Sequence, residues 1–306
     1  MLYIILALIA HLMNATVFMV DKGILATKSG ISSPVRYAAL SGLVAAGASL
    51  LLIVDYVPPT SAIIAWSLLA GVFWVSALYL FFTALSKGDP SVVVPVSGSA
   101  VPVFTLIAAA IFLGERLSGF NIIGVIVLVA GGMLLSLRWS TAAKVSPIVI
   151  GTAIFSGAMF ASYFAAVKYI YNFDAPFIST FAYTRLGVGV VAFILLIFVL
   201  LKSSATPTKN KEQKNNQTKW ILISAFVVSK GLAMIALVLQ NYAIKLGSVT
   251  IVNALQGTQY LFLLLLALAV SKWWPKLYQK EVIQSALIQK LSGIICIGIG
   301  LILLIA

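Results

Sequence analysis

The chain has 306 residues, 62% of them hydrophobic and only 9% charged. A water-soluble domain must cover its surface with polar groups, so this composition excludes one and makes a bilayer the natural solvent. The net charge of +13 does not point to nucleic acid, because the basic residues lie in short segments between apolar runs and not on a basic, aromatic-studded surface.

A spanning helix needs about 20 mostly apolar residues. Ten such runs are predicted, at roughly 2–21, 35–54, 61–85, 91–113, 118–137, 147–168, 177–201, 220–244, 248–271 and 288–306. The chain is therefore expected to be an all-α integral membrane protein. The first run lacks a basic leader, and His11 and Asn14 interrupt it, so it is read as a retained helix and not a signal peptide. His11, Asn14 and Asp21 form a polar stripe along it. An imidazole at that depth could take up a proton near neutral pH and couple transport to protons, or stay neutral against a neighbouring helix.

The third helix carries Trp66, Phe73, Trp74 and Tyr79, and the sixth carries Met159 and Tyr163. Aromatics at helical spacing serve packing or line a pocket. The fourth helix contains Pro95 and Pro102, which membrane helices tolerate, and also Ser97. Arg185 enters the seventh helix about two turns deep. It can meet an anion or snorkel to the interface, and a structural role is preferred because Arg36 holds the corresponding place earlier in the chain.

The hydrophilic tract Ser203–Thr218 is read as an exposed basic loop. Lys230 follows, near the middle of the eighth helix, within ISAFVVSKGLAMIALVL. A lysine there costs at least ~2.5 kcal/mol, so it is expected to face a cavity or a partner. It can act as counter-ion to a carboxylate or phosphate, as a proton-coupling amine, or as a contact to backbone carbonyls. The ninth helix bears Asn253, Gln256 and Gln259 on one face, beside Tyr260. Those amides can orient a polar solute or bind helices together. The segment Lys272–Gln289, with Trp273, Trp274 and Pro275, is expected to include a short amphipathic surface helix.

The chain repeats itself. ALSKGDPSVVVPVSGSAVPVF, from Ala84 to Phe104, aligns without a gap on AIKLGSVTIVNALQGTQYLFL, from Ala243 to Leu263. Gly88 then falls on Gly247 and Gly98 on Gly257; further along, Gly124 falls on Gly293 and Gly131 on Gly300. At the front, Met13, Phe18 and Lys22 fall on Met159, Phe164 and Lys168. Residues 1–140 and 141–306 are thus expected to be two repeats of five helices, the second holding a polar basic loop at 202–219. An odd number of spans inverts the second copy in the membrane. Most Lys and Arg follow the odd-numbered helices, which puts those loops in the cytoplasm and both termini outside.

No enzyme constellation is visible: no GxSxG, HExxH, P-loop or DxDxDG pattern occurs. The single cysteine, Cys296, forms no internal disulfide, and no ligand spacing suggests a metal or cofactor.

The order Ala84-Leu85, Gly88, Val94-Pro95, Val101-Pro102-Val103-Phe104, LGERLS from Leu113 to Ser118, then Gly124 and Gly131 resembles the drug/metabolite transporter superfamily, specifically its ten-helix EamA-type branch. The later half keeps Ala243, Gly247, Gly293 and Gly300 but has Ala254 and Leu261 at the proline positions and SKWWPK in place of the LGE element. The resemblance implies secondary transport of small solutes without ATP, through a cavity lined by helices 1, 3, 4, 6, 8 and 9. His11, Asn14, Trp74, Ser97, Tyr163, Lys230, Asn253 and Gln256 lie on those helices and form the expected substrate site.

The function expected is export of a small polar metabolite, such as an amino acid or organic anion, by alternating access. Lys230 would bind the anionic group, Asn14, Asn253 and Gln256 would orient the solute, Trp74 would pack its apolar part, and His11 would be the proton switch. Partners are the small solute, membrane lipids and, as coupling ion, protons. The alternatives are metabolite uptake, drug efflux, or a non-transporting receptor or scaffold on the same fold. Efflux of lipophilic cations fits less well, because no acidic residue lies at mid-depth.

Overall fold

A computed structural model describes residues 1–25, 34–88, 90–136, 145–173, 176–202, 216–271 and 287–305. Among these residues every regular element is a helix. The helices are α1 (Leu2–Leu25), α2 (Pro34–Ala46, continued by a 3-10 helix Gly47–Ile53), α3 (Ser61–Lys87), α4 (Pro90–Phe112) and α5 (Gly119–Ser136). They continue with α6 (Pro147–Tyr171), α7 (Phe177–Lys202), α8 (Asn216–Leu246), a ninth helix in two pieces, α9a (Val249–Ala254) and α9b (Gln256–Ser271), and α10 (Leu287–Ile305). Ten spans among the described residues are long and apolar enough to cross a membrane.

Two expected helices differ in detail. The second tightens into 3-10 winding over its last seven residues, and the ninth is interrupted at Leu255. The amphipathic helix expected within Lys272–Gln289 falls mostly outside the described residues, and Gln289 itself belongs to α10. The loop expected at 202–219 also lies mostly outside them, and its last residues form the first turn of α8.

Polar and apolar surfaces are arranged for lipid. Phe120, Ile123 and Ile126 of α5 are exposed, while Gly124, Val125, Leu128, Gly131 and Gly132 face inward. With no hydrophobic effect to drive helices together in lipid, association depends on close packing, and small residues permit it. The α5–α10 contact is such a case. A Cβ on Gly131 would lie 3.0 Å from the Gly293 carbonyl oxygen, and one on Gly300 would lie 3.1 Å from that of Gly124. Pairing 131 with 293 and 124 with 300 means the two helices run antiparallel.

The other extensive contacts join α1 to α8, α3 to α6 and α7, α4 to α6, and α2 to α7. The fourth and ninth spans are the most enclosed, with 61% of each window buried against 22–44% for the rest. They form the centre of the bundle, and the polar groups gather around them.

The end of α4 is set by local chemistry. Gly114 adopts φ 63°, a left-handed conformation that costs a side-chain-bearing residue about 1–2 kcal/mol. The Glu115 N–H then reaches back 3.0 Å to the Ala109 carbonyl, which also accepts the Leu113 N–H at 3.1 Å, so the turn folds back on the last turn of α4. That turn sends the Glu115 carboxylate onto the Ser248 hydroxyl, and Ser248 caps α9a by accepting the Ile251 N–H at 3.0 Å. The LGE element of the sequence is thus a helix stop that ties the first half to the start of the ninth helix.

Candidate functional site

Buried polar side chains occur on α1, α3, α4, α6, α7, α8 and both parts of the ninth helix. They form three hydrogen-bonded groups around α8 and the ninth helix.

The first joins α1 to the break in the ninth helix. His11 is 1% exposed. Its Nε2 lies 3.1 Å from the Val252 carbonyl, one turn before the interruption at Leu255, and its Nδ1 lies 3.4 Å from Oε1 of Gln259. A broken helical ladder leaves carbonyls without their usual donor, and in lipid each must find another. The imidazole supplies that donor to Val252. The position of His11 therefore accounts for how the ninth helix tolerates its break without proline.

The second group joins α8, α9a and α4. Gln240 Nε2 donates to Asn253 Oδ1 at 3.3 Å, and Asn253 Nδ2 donates to Thr105 Oγ1 at 3.1 Å. Thr105 passes its own proton to the Val101 carbonyl at 2.7 Å. Every member is buried, so losing one leaves its neighbours without partners.

The third group surrounds Arg185. Its guanidinium is 0% exposed and lies over three rings, 5.3 Å from the Trp74 centroid, 5.0 Å from Tyr163 and 5.4 Å from Phe181. One Nη donates to the Tyr163 hydroxyl, and Nε donates to Thr184 Oγ1 at 3.4 Å. Tyr163 and Tyr171 both donate to Asn241 Oδ1, at 3.4 and 3.2 Å. Among the described residues Nη1 of Arg185 has no hydrogen-bond partner, and neither has Nε1 of Trp74. Among the described residues no carboxylate pairs with the guanidinium. A desolvated cation over an aromatic face gains roughly 2 kcal/mol, against several kcal/mol for removing it from water.

Gln240 and Asn241 are consecutive on α8 and project in different directions. One feeds the Asn253–Thr105 group, the other the Tyr163–Arg185 group. The centre of the bundle is therefore one polar region shared by helices of both halves.

The expected site residues divide accordingly. His11, Tyr163 and Asn253 lie within these groups, and Trp74, half-buried, stacks edge-on against Tyr163 at 4.6 Å and Phe160 at 5.3 Å. Ser97 is buried but bonds to Ser156 Oγ at 3.4 Å, and Ser156 donates to the Ala77 carbonyl at 2.9 Å, an interhelical contact. Gln256 is half-buried beside Gly98, and Asn14 is half-buried on α1. Lys230 is half-buried, between exposed Val228 and Gly231. Ten residues separate it from Gln240, about 15 Å along the helix axis.

The reading of Arg185 as a snorkelling cation does not survive its geometry, because a fully buried guanidinium reaches no interface. Sequence reasoning also passed over Gln240 and Asn241. Their signal was available, as two adjacent amides inside the apolar run ALVLQNYAI.

Two contacts repeat each other across the chain. Gly88 at the end of α3 packs on Val149 at the start of α6, with a prospective Cβ 2.7 Å from Cγ1. Gly247 at the end of α8 packs on the ring of Tyr3 at the start of α1. Near the latter, Lys168 Nζ donates to the Ile244 and Gly247 carbonyls at 2.9 and 2.8 Å, closing the C-terminus of α8.

Residues 1–137 match the EamA-like transporter family. That match and the ten apolar helices fit a drug/metabolite transporter of the EamA type. No curated protein matches the chain. A solved structure described only as the crystal structure of a protein superimposes with a TM-score of 0.63 at 16% identity, covering 99% of this chain and 96% of that one. At that identity the likeness concerns the fold alone.

Proposed function

We propose that this chain, whose first 137 residues carry the EamA-like pattern, is a secondary transporter that exports a small polar metabolite by alternating access. The observation that carries the reading is the buried polar region at the centre of an otherwise apolar bundle, built by α1, α3, α4, α6, α7, α8 and the ninth helix together. Polar side chains are expensive in a membrane interior and mark solute or ion pathways.

The two halves, 1–140 and 141–306, act as inverted repeats in this reading. Gly88 and Gly247 are counterparts in the repeat, and so are Val149 and Tyr3, so the paired contacts of these four residues support it. So does the antiparallel α5–α10 crossing, where each glycine meets the counterpart of the other. The halves differ in one respect. α3 packs closely along α7, whereas α8 has no comparable contact with α2. Exchange of that asymmetry between the halves is the rocking step that exposes the site first to one face and then to the other.

Within the site, Asn253 and Gln256 orient the solute with help from Asn14, and Trp74 and Tyr163 wall its apolar part. Ser97 steadies α4 against α6. Lys230 meets the anionic group as it enters from the cytoplasmic side, where the basic loops lie, and His11 gains and loses the coupling proton.

Counterflow in proteoliposomes tests the proposal. Purified protein loaded with a mixture of unlabelled amino acids and organic acids is expected to accumulate at least one labelled member saturably. Replacing Lys230 by Ala is expected to weaken that solute's apparent affinity without loss of folded protein. Absence of counterflow for every member, with folded protein in the vesicles, defeats the reading.

A further inference from the structure

We propose that Arg185 and Trp74 form the seat for a carboxylate on the transported solute. The proposal rests on the transport reading above and names its substrate class: monocarboxylates with a compact apolar or aromatic body.

Two buried N–H donors in one cluster lack acceptors, Nη1 of Arg185 and Nε1 of Trp74. Their side chains touch, with the guanidinium carbon 5.3 Å from the Trp74 ring centroid. Buried donors in native proteins are almost always satisfied, and buried charges are paired. Here the other neighbours cannot complete either donor. Phe160, Phe164 and Phe181 have no acceptor, and the Tyr163 hydroxyl already accepts from Arg185 and donates to Asn241. A single group that answers both donors and the charge is an anion with more than one acceptor oxygen. A carboxylate supplies two oxygens and one negative charge, which answers two donors and one guanidinium.

Charge decides between a carboxylate and a phosphate. A phosphate dianion needs a second cation at the same place. Lys168, the basic group of α6, is committed to backbone carbonyls at the end of α8. The walls of the seat are aromatic and neutral, which selects an apolar body behind the acid.

The seat is closed in this structure, and the place where it closes is specific. Gly71 lies three residues before Trp74 on α3, and Gly187 lies two residues after Arg185 on α7, and these glycines pack backbone to backbone. A crossing without side chains lets α3 shift along α7 with little steric resistance. The two donors stand immediately beside that crossing, so separation of α3 from α7 opens the seat.

The test uses acids paired with the amides that lack the carboxylate charge: phenylalanine with phenylalaninamide, leucine with leucinamide, and 3-phenylpropionate with the uncharged 3-phenylpropanamide. Binding to detergent-purified full-length protein is read by thermal stabilisation and by tryptophan fluorescence. At least one acid is expected to stabilise the protein while its amide at equal concentration does not. Arg185→Gln is expected to weaken the acid about ten- to a hundredfold and erase the preference, as loss of a charged hydrogen bond does. Trp74→Phe keeps an aromatic ring but removes the indole N–H together with the pyrrole ring, and is expected to weaken the acid about three- to tenfold while weakening its amide less. Equal shifts by acids and amides, no shift by any acid, or an acid preference that survives Arg185→Gln each overturns the proposal. If Arg185→Gln does not elute as a folded species, the acid-to-amide ratio of the unmutated protein and the Trp74→Phe variant decide. Counterflow separates this proposal from the transport reading. Acid binding without counterflow keeps the seat and removes transport, whereas counterflow indifferent to the carboxylate keeps transport and removes the seat.

Discussion

Gly131 of α5 lies against Gly293 of α10 so closely that a Cβ on either would sit 3.0 Å from the other's carbonyl oxygen. The neighbours that would have to move are backbone atoms of a facing helix, which yield less readily than a side chain. Gly131→Val and Gly293→Val are each expected to destabilise the protein by about 1–3 kcal/mol through overpacking. The expected observation is a lower melting temperature in detergent for both, with Gly151→Ala, whose Cβ meets open space, close to the parent. A melting temperature unchanged in both valine variants would show that the crossing tolerates separation.

The turn after α4 makes a second, local prediction. Gly114→Ala keeps the side chain small but forces it into the left-handed region at φ 63°, an expected loss of about 1–2 kcal/mol. Ser248→Ala removes the cap of α9a and the hydroxyl that Glu115 accepts from, an expected loss of about 1 kcal/mol. Because the Gly114 turn aims Glu115 at Ser248, the double variant should lose less than the sum of the two. A double-mutant cycle by thermal or denaturant unfolding checks this, and strict additivity would separate the turn from the cap.

Lys168 is expected to matter for structure and not for the solute. Its ammonium donates to the Ile244 and Gly247 carbonyls at 2.9 and 2.8 Å. Lys168→Met keeps the stem, removes these charge-assisted bonds and should cost about 1.5–3 kcal/mol. Stability should fall in a melting experiment while the ligand's dissociation constant in the folded fraction stays within about twofold, a change smaller than one neutral hydrogen bond.

His11 carries the prediction about pH. If it moves the coupling proton, His11→Gln should flatten the dependence of counterflow on pH. Glutamine can still donate to the Val252 carbonyl, so the helix break keeps a partner and the variant should fold. Transport that keeps its full pH dependence in this variant would remove His11 as the proton carrier.

Much of the fold was legible in the sequence because it follows from composition and short-range pattern. Ten runs of apolar residues became ten helices near the expected bounds, since a lipid interior allows a spanning segment little alternative to a helix. The glycines singled out by the internal repeat, Gly88, Gly124, Gly131, Gly247, Gly293 and Gly300, proved to sit at close contacts between helices. The break in the ninth helix was not legible, because Leu255 is an ordinary helix former. The interruption depends on an imidazole arriving from α1, far away in the chain.

Chemistry by residue type, such as a charge, an imidazole or an amide inside an apolar run, could be read from the order of amino acids alone, and so could the helices that carry it. Which of those groups meet was decided only by the tertiary structure. Position along its helix singled out Lys230, while the amides of the same helix that meet other buried side chains, Gln240 and Asn241, lie about 15 Å further along the axis. Arg185 looked near enough to an end to reach water, yet α3 and α6 close over it. Depth along a helix follows from counting residues, but burial depends on the rotation of that helix and on the neighbours that cover it, and both are set by long-range packing.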